Sequence, residues 1–83
     1  YNLNMKFKAV EIFGWYGALA IVTAYLLVSF SVIEATDILY QLLNGTGAVA
    51  IVLVSIHHKN YQPAVLNIVW TIIALIALLK IIF

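Results

Sequence analysis

Residues 63–83 read PAVLNIVWTIIALIALLKIIF, and Lys80 is their single charged residue. At a rise of about 1.5 Å per residue, a helix of this length crosses the roughly 30 Å hydrocarbon core of a bilayer. Two further apolar runs of similar length precede it, Ile12–Phe30 and Ile38–Ile56. We therefore predict an all-α chain in which residues 1–83 form a single membrane domain, a bundle of three transmembrane helices.

The composition indicates that lipid is the solvent of this chain. Hydrophobic residues make up 66% of it and charged residues 8%, and the mean hydropathy is +1.14. A soluble chain of this size needs a polar face on each helix, whereas these helices are apolar nearly all round. The net charge of +1 leaves no basic stripe for nucleic acid. We therefore expect the lipid bilayer as a partner, and no nucleic acid.

The charged residues predict an orientation in the membrane. Lys6 and Lys8 precede the first span, the first link carries Glu34 and Asp37, and the second link contains His57-His58-Lys59. Both basic clusters fall on the same side of a three-span chain, and the positive-inside rule places that side in the cytoplasm. The N-terminus is thus predicted to be cytoplasmic and the C-terminus to lie outside, where a lysine near the chain end can reach the headgroups.

Each span carries small or polar residues at helical spacing, and these are the candidate packing or ligand-facing positions. Small residues let two helix backbones approach closely, and amides form hydrogen bonds between helices. Depth along the spans predicts that Tyr25 meets Gln41 or Asn44, and that Asn67 and Trp70 meet the surface around Gly14 and Gly17. Whether the amides stabilise packing or line a cavity stays open. The candidates are Gly14, Gly17, Tyr25, Gln41, Asn44, Gly47, Asn67, Trp70 and Thr71.

Ionisable groups are missing from the middle of every span, which argues against ion-coupled transport through a buried carboxylate. The sequence contains no cysteine and no recognisable pairing of a nucleophile with a base. His57 and His58 are adjacent, so their side chains point apart at a helix end, and no carboxylate or cysteine stands near them in sequence. We expect no enzymatic activity, no cofactor and no metal site.

Three short motifs resemble those of a known family. They are Gly14-Trp15-Tyr16-Gly17, the run from Tyr40 to Gly47 (YQLLNGTG), and Asn67-Ile68-Val69-Trp70. Together they resemble a family of small bacterial inner-membrane proteins of unknown function with three spans, also found as a C-terminal "transporter suffix" domain on larger proteins. The resemblance implies a location in the bacterial inner membrane and a helper or oligomeric role, but no reaction and no ligand.

A second resemblance is to the three-span half-transporters of the PQ-loop sugar type, which form dimers and place an Asn in the third span. Their hinge is a Pro-Gln pair inside the first span, whereas this chain has only Gln62-Pro63, in reverse order and in the second link. The favoured function is therefore an oligomerising or accessory subunit of a membrane complex, as a homo-oligomer or beside another membrane protein. The alternative is a dimeric half-transporter for a small neutral solute.

Overall fold

The computed structural model describes the backbone of residues 2–83 and the side chains of residues 8–83. This part of the chain folds into three helices: α1, Asn2–Ser29; α2, Ile38–His57; and α3, Tyr61–Ile82. All three are long and apolar enough to cross a membrane, α1 over Lys8–Ser29. The prediction of an all-α chain with three candidate spans is confirmed. The side chain of Lys6, used in the orientation argument, lies outside the described residues.

Helix α2 lies between the other two helices. It packs against both α1 and α3, but over the described residues no Cα atom of α1 comes within 8 Å of a Cα atom of α3. The expected bundle is thus an open row with α2 in the middle. Helices α1 and α3 are kept apart by the positions of two glycines in α2: Gly47 faces α1, and Gly45 faces Ala74 of α3. At about 100° per residue, positions 45 and 47 point roughly 160° apart, so the two neighbours cannot meet.

Helix α1 ends in a hydrogen-bonded turn that uses a left-handed residue. Ser31 has a φ of 61°. The N–H of Val32 donates to the carbonyl of Leu27 over 2.9 Å, and the N–H of Ser31 donates to that of Val28 over 3.0 Å. This pair of bonds is a Schellman motif, in which the left-handed position is usually glycine.

Helix α2 ends in the same way. Lys59 has a φ of 57°, and its N–H donates to the carbonyl of Ile56 over 3.0 Å, while the N–H of Asn60 donates to Ser55 over 2.8 Å. Both links therefore begin by satisfying helix carbonyls within the chain.

We expect Ser31→Gly to stabilise the protein by about 1 kcal/mol, because glycine adopts a positive φ without the steric penalty of a Cβ atom. The measurement is the free energy of unfolding in mixed micelles titrated with sodium dodecyl sulfate, followed by circular dichroism. Ser29→Gly is the matched control, since Ser29 is the last residue of α1 and does not have a positive φ, so glycine there should not stabilise the protein. Equal changes from the two substitutions would contradict the prediction.

Candidate functional site

The contact between α1 and α2 is built on two glycines that face each other. A Cβ atom on Gly17 would lie 2.8 Å from the carbonyl oxygen of Gly47 and 2.8 Å from Cγ1 of Ile51. Conversely, a Cβ atom on Gly47 would lie 3.0 Å from the carbonyl oxygen of Gly17 and 2.9 Å from Cγ1 of Ile21. The two backbones therefore touch where the helices cross, and neither position has room for a side chain.

The remaining candidates on α1 lie away from this crossing. A Cβ atom on Gly14 would meet only the methyl groups of Val54, at 3.7 and 3.8 Å, which is ordinary contact. Tyr25 is 72% exposed, whereas Ala20 and Ala24 are buried. The packing face of α1 is thus Gly17-Ala20-Ala24, whereas the candidates predicted on this helix are Gly14, Gly17 and Tyr25. Alanine takes part because its methyl group also allows close approach of two helices.

A hydrogen bond beside the glycine pair links α1 to α2. The hydroxyl of Thr46 donates to the carbonyl oxygen of Leu42 over 2.6 Å, and the hydroxyls of Tyr16 and Thr46 lie 2.6 Å apart. Because the Thr46 proton is used by Leu42, Tyr16 is the donor in the second bond. Sequence analysis missed Tyr16, although its position immediately before Gly17, matching Thr46 before Gly47, was a signal.

The contact between α2 and α3 is made largely by alanines. Ala48 is 0% exposed, and Ala64 and Ala74 are also buried. Asn67 is buried at the same contact, and its side-chain N–H donates to the carbonyl oxygen of Pro63 over 2.9 Å.

Two expected pairings of polar side chains are wrong. Asn67 and Trp70 do not meet the Gly14–Gly17 surface, because α1 and α3 lie on different sides of α2. Tyr25 is hydrogen-bonded to neither Gln41 nor Asn44. The side-chain N–H of Gln41 donates instead to the carbonyl oxygen of Ala35 in the first link, over 2.7 Å. Gln41 lies one turn into α2, within reach of the link, so it ties the start of the helix to the preceding turn.

Asn44 lies in a groove between α2 and α3. The groove has a volume of about 260 Å³ and is lined by Tyr40, Gln41, Asn44, Trp70 and Ile73. The Asn44 side chain makes no hydrogen bond to any described residue. No buried side-chain nitrogen or oxygen lacks a partner in this part of the chain, so the Asn44 amide must reach the groove surface. It can both donate and accept a hydrogen bond there.

Two threonine hydroxyls in the spans are bonded within their own helices. The Thr71 hydroxyl donates to the carbonyl oxygen of Asn67 over 2.7 Å, just as Thr46 bonds within α2. Over the described residues, no three His, Cys, Asp or Glu side chains come together to hold a metal ion. The Asn44 groove is therefore a place where an amide inside a candidate span is left for an external partner.

The sequence model of a small, uncharacterised bacterial family matches residues 10–83 of this chain. The chain belongs to that family. Neither the curated proteins nor the solved structures contain a match to it. Family membership and the three apolar helices are compatible with a membrane protein.

Proposed function

We propose that this family member is a protein of the bacterial inner membrane that works by associating with further membrane helices, in the first place those of a second copy. The single observation that supports this role is the Asn44 amide, which has no hydrogen-bond partner among the described residues. In the proposed orientation, the N-terminus and the link around Lys59 lie in the cytoplasm and the C-terminus lies outside.

The position of Asn44 in the membrane makes an external partner favourable. Asn44 is six residues from the start of α2 at Ile38, which places it about 9 Å along the helix from its outer end. At that depth water is scarce, and an amide without a hydrogen bond is costly. A neighbouring membrane helix that brings a polar side chain to this depth would remove that cost.

A second copy of the chain meets this requirement by symmetry. In a parallel dimer with its twofold axis along the membrane normal, the two Asn44 side chains lie at the same depth. Each amide has N–H donors and a carbonyl acceptor, so two of them can form reciprocal hydrogen bonds. In an accessory role, another membrane protein would supply the partner instead.

A half-transporter for a neutral solute is the less favoured function. Such a protein presents polar side chains to a solute near the middle of the membrane. The hydroxyls of Thr46 and Thr71 are instead bonded to backbone carbonyls of their own helices. This leaves fewer free polar groups along a path past Asn44.

The proposal predicts that Asn44→Leu weakens dimerisation. A hydrogen bond between membrane helices contributes about 0.6–1.7 kcal/mol, so the dissociation constant should rise about three- to twentyfold. The measurement is Förster transfer between donor- and acceptor-labelled copies in vesicles over a range of protein-to-lipid ratios. Asn44→Gln is the matched variant, since it keeps the amide and should restore most of the transfer.

Two results would contradict the proposed self-association. One is a wild-type protein that stays monomeric at every protein-to-lipid ratio. The other is a dimer whose dissociation constant is the same with leucine and with asparagine at position 44. A monomer that co-purifies stoichiometrically with a different membrane protein, and loses it on Asn44→Leu, would assign the accessory role instead.

A further inference from the structure

A second groove lies at the opposite end of the helices, between the first half of α1 and the last turn of α2. Its volume is about 320 Å³, and its walls are formed by Val10, Glu11, Gly14, Trp15, Ala18, Val54 and His58. It is separate from the Asn44 groove, which lies between α2 and α3. Nothing in the proposed association uses it.

The register of the two helices brings an acidic and an imidazole side chain to the mouth of this groove. Gly14 meets the methyl groups of Val54. Glu11 lies about one turn of α1 before Gly14, and His58 lies about one turn after Val54. Both line the groove and are exposed. They sit where the apolar segments end, at the level of lipid headgroups.

Two lysines lie close in sequence to the polar residues of this mouth. Lys8 precedes Glu11 by three residues and so lies on the same side of α1. Lys59 follows His58 directly in the second link. Glu11 and His58 line the groove entrance, and Lys8 and Lys59 lie near them along the chain, so groups of both signs of charge are available at this end of the helices.

The deeper part of the groove suits a hydrocarbon chain. Its walls are mainly apolar, and Gly14 and Ala18 are small enough to leave space along α1. Trp15 is 66% exposed and lines the same groove, in the interfacial position where tryptophan is enriched in membrane proteins.

We propose that this groove binds a zwitterionic phospholipid whose headgroup carries a primary ammonium. The ammonium donates to the Glu11 carboxylate, the phosphate accepts from His58 and from Lys8 or Lys59, and one acyl chain lies along Gly14 and Ala18. An anionic headgroup would place negative charge beside Glu11 without a counter-cation of its own. A choline headgroup has no N–H to donate to the carboxylate.

Quenching of Trp15 fluorescence by brominated lipids tests this site. Trp70→Phe leaves Trp15 as the single tryptophan, and the protein is then placed in choline-lipid vesicles containing increasing fractions of brominated phosphatidylethanolamine, phosphatidylglycerol or phosphatidylcholine. We expect half-maximal quenching at an ethanolamine-lipid fraction about two- to fivefold below that of the other two lipids, as for a partly exposed ion pair.

Two substitutions and one control, all made in the Trp70→Phe variant, distinguish the effect of the charge of the site from the effect of its shape. Glu11→Gln should abolish the preference for the ethanolamine lipid over the choline lipid, while Glu34→Gln, a matched change in the first link, should keep that preference. Ala18→Leu fills the groove and should reduce quenching by all three lipids. Far-ultraviolet circular dichroism checks that each variant keeps its helices.

Two outcomes would overturn the proposal. The first is quenching by phosphatidylglycerol at the same or a lower fraction than phosphatidylethanolamine, which would show that the lysines alone attract an anionic lipid. The second is an ethanolamine preference that survives Glu11→Gln, which would show that the carboxylate does not contact the ammonium.

Discussion

Alanine at Gly17 is expected to lower the free energy of unfolding by about 2–3 kcal/mol, the upper part of the range for overpacking a close contact. The new Cβ atom would lie 2.8 Å from the carbonyl oxygen of Gly47, which is backbone and cannot rotate away. The two helices must then move apart along their whole crossing. The measurement is unfolding by sodium dodecyl sulfate in mixed micelles, followed by circular dichroism.

Gly14→Ala is the matched control for this prediction. Its Cβ atom would find Val54 at 3.7 Å, and alanine favours a helix interior over glycine by about 0.5–1 kcal/mol, so this variant should be at least as stable as the wild type. Gly47→Ala should instead behave like Gly17→Ala, because a Cβ atom on either glycine would lie too close to the carbonyl oxygen of the other. Equal stability of the Gly14 and Gly17 variants would show that the backbones do not touch at Gly17.

Leucine at Ala48 is expected to have a comparable effect on the other interface, again about 2–3 kcal/mol. Ala48 is 0% exposed and lies on the same face as Gly45, which meets Ala74 of α3. Three added carbon atoms have no space there, so α3 must be displaced from α2. Val49→Leu is the control, since Val49 is exposed and should tolerate the extra volume.

Distances between spin labels show which helix moves in the Ala48→Leu variant. Labels at Ile38 and Ile82, at the ends of α2 and α3, should give a broader and longer distance distribution. Labels at Ile12 and His57 should keep their distribution, because α1 packs on a different face of α2. A change in both pairs would contradict two independent interfaces.

The three spans could be predicted because length and hydropathy depend on residues that are close together in the sequence. Length and hydropathy mark Ile38–Ile56 as a span, and α2 runs over Ile38–His57. The third apolar run begins at Pro63, and α3 begins two residues earlier, at Tyr61. Such features depend on residues close in sequence, so no knowledge of the partner helix is needed.

The packing faces could be predicted only in part. In a soluble helix the apolar face marks the contact, but in lipid both the contact and the outer faces are apolar. Small residues are then the remaining signal, and α2 carries them on two sides, at Gly45 and at Gly47. Residue type alone does not say which of these two sides faces which helix, so the open row could not be predicted from the sequence.

The two grooves depend on how the helices slide and turn against each other. Glu11 and His58 line the same groove because α1 and α2 pack with Gly14 beside Val54. No sequence pattern predicts this register of the two helices. Likewise, Asn44 was a candidate from its residue type, but its lack of a partner becomes evident only when α3 is in place.

The open row also has a consequence for how the chain assembles. Each helix packs only against the helix next to it in sequence, α1 on α2 and α2 on α3. The contacts between helices therefore join only helices that are consecutive in the sequence. Each pair can form by ordering the one short link between its two helices. The hairpin of α1 and α2 can therefore form without α3. The second hairpin then adds to it without rearranging the first.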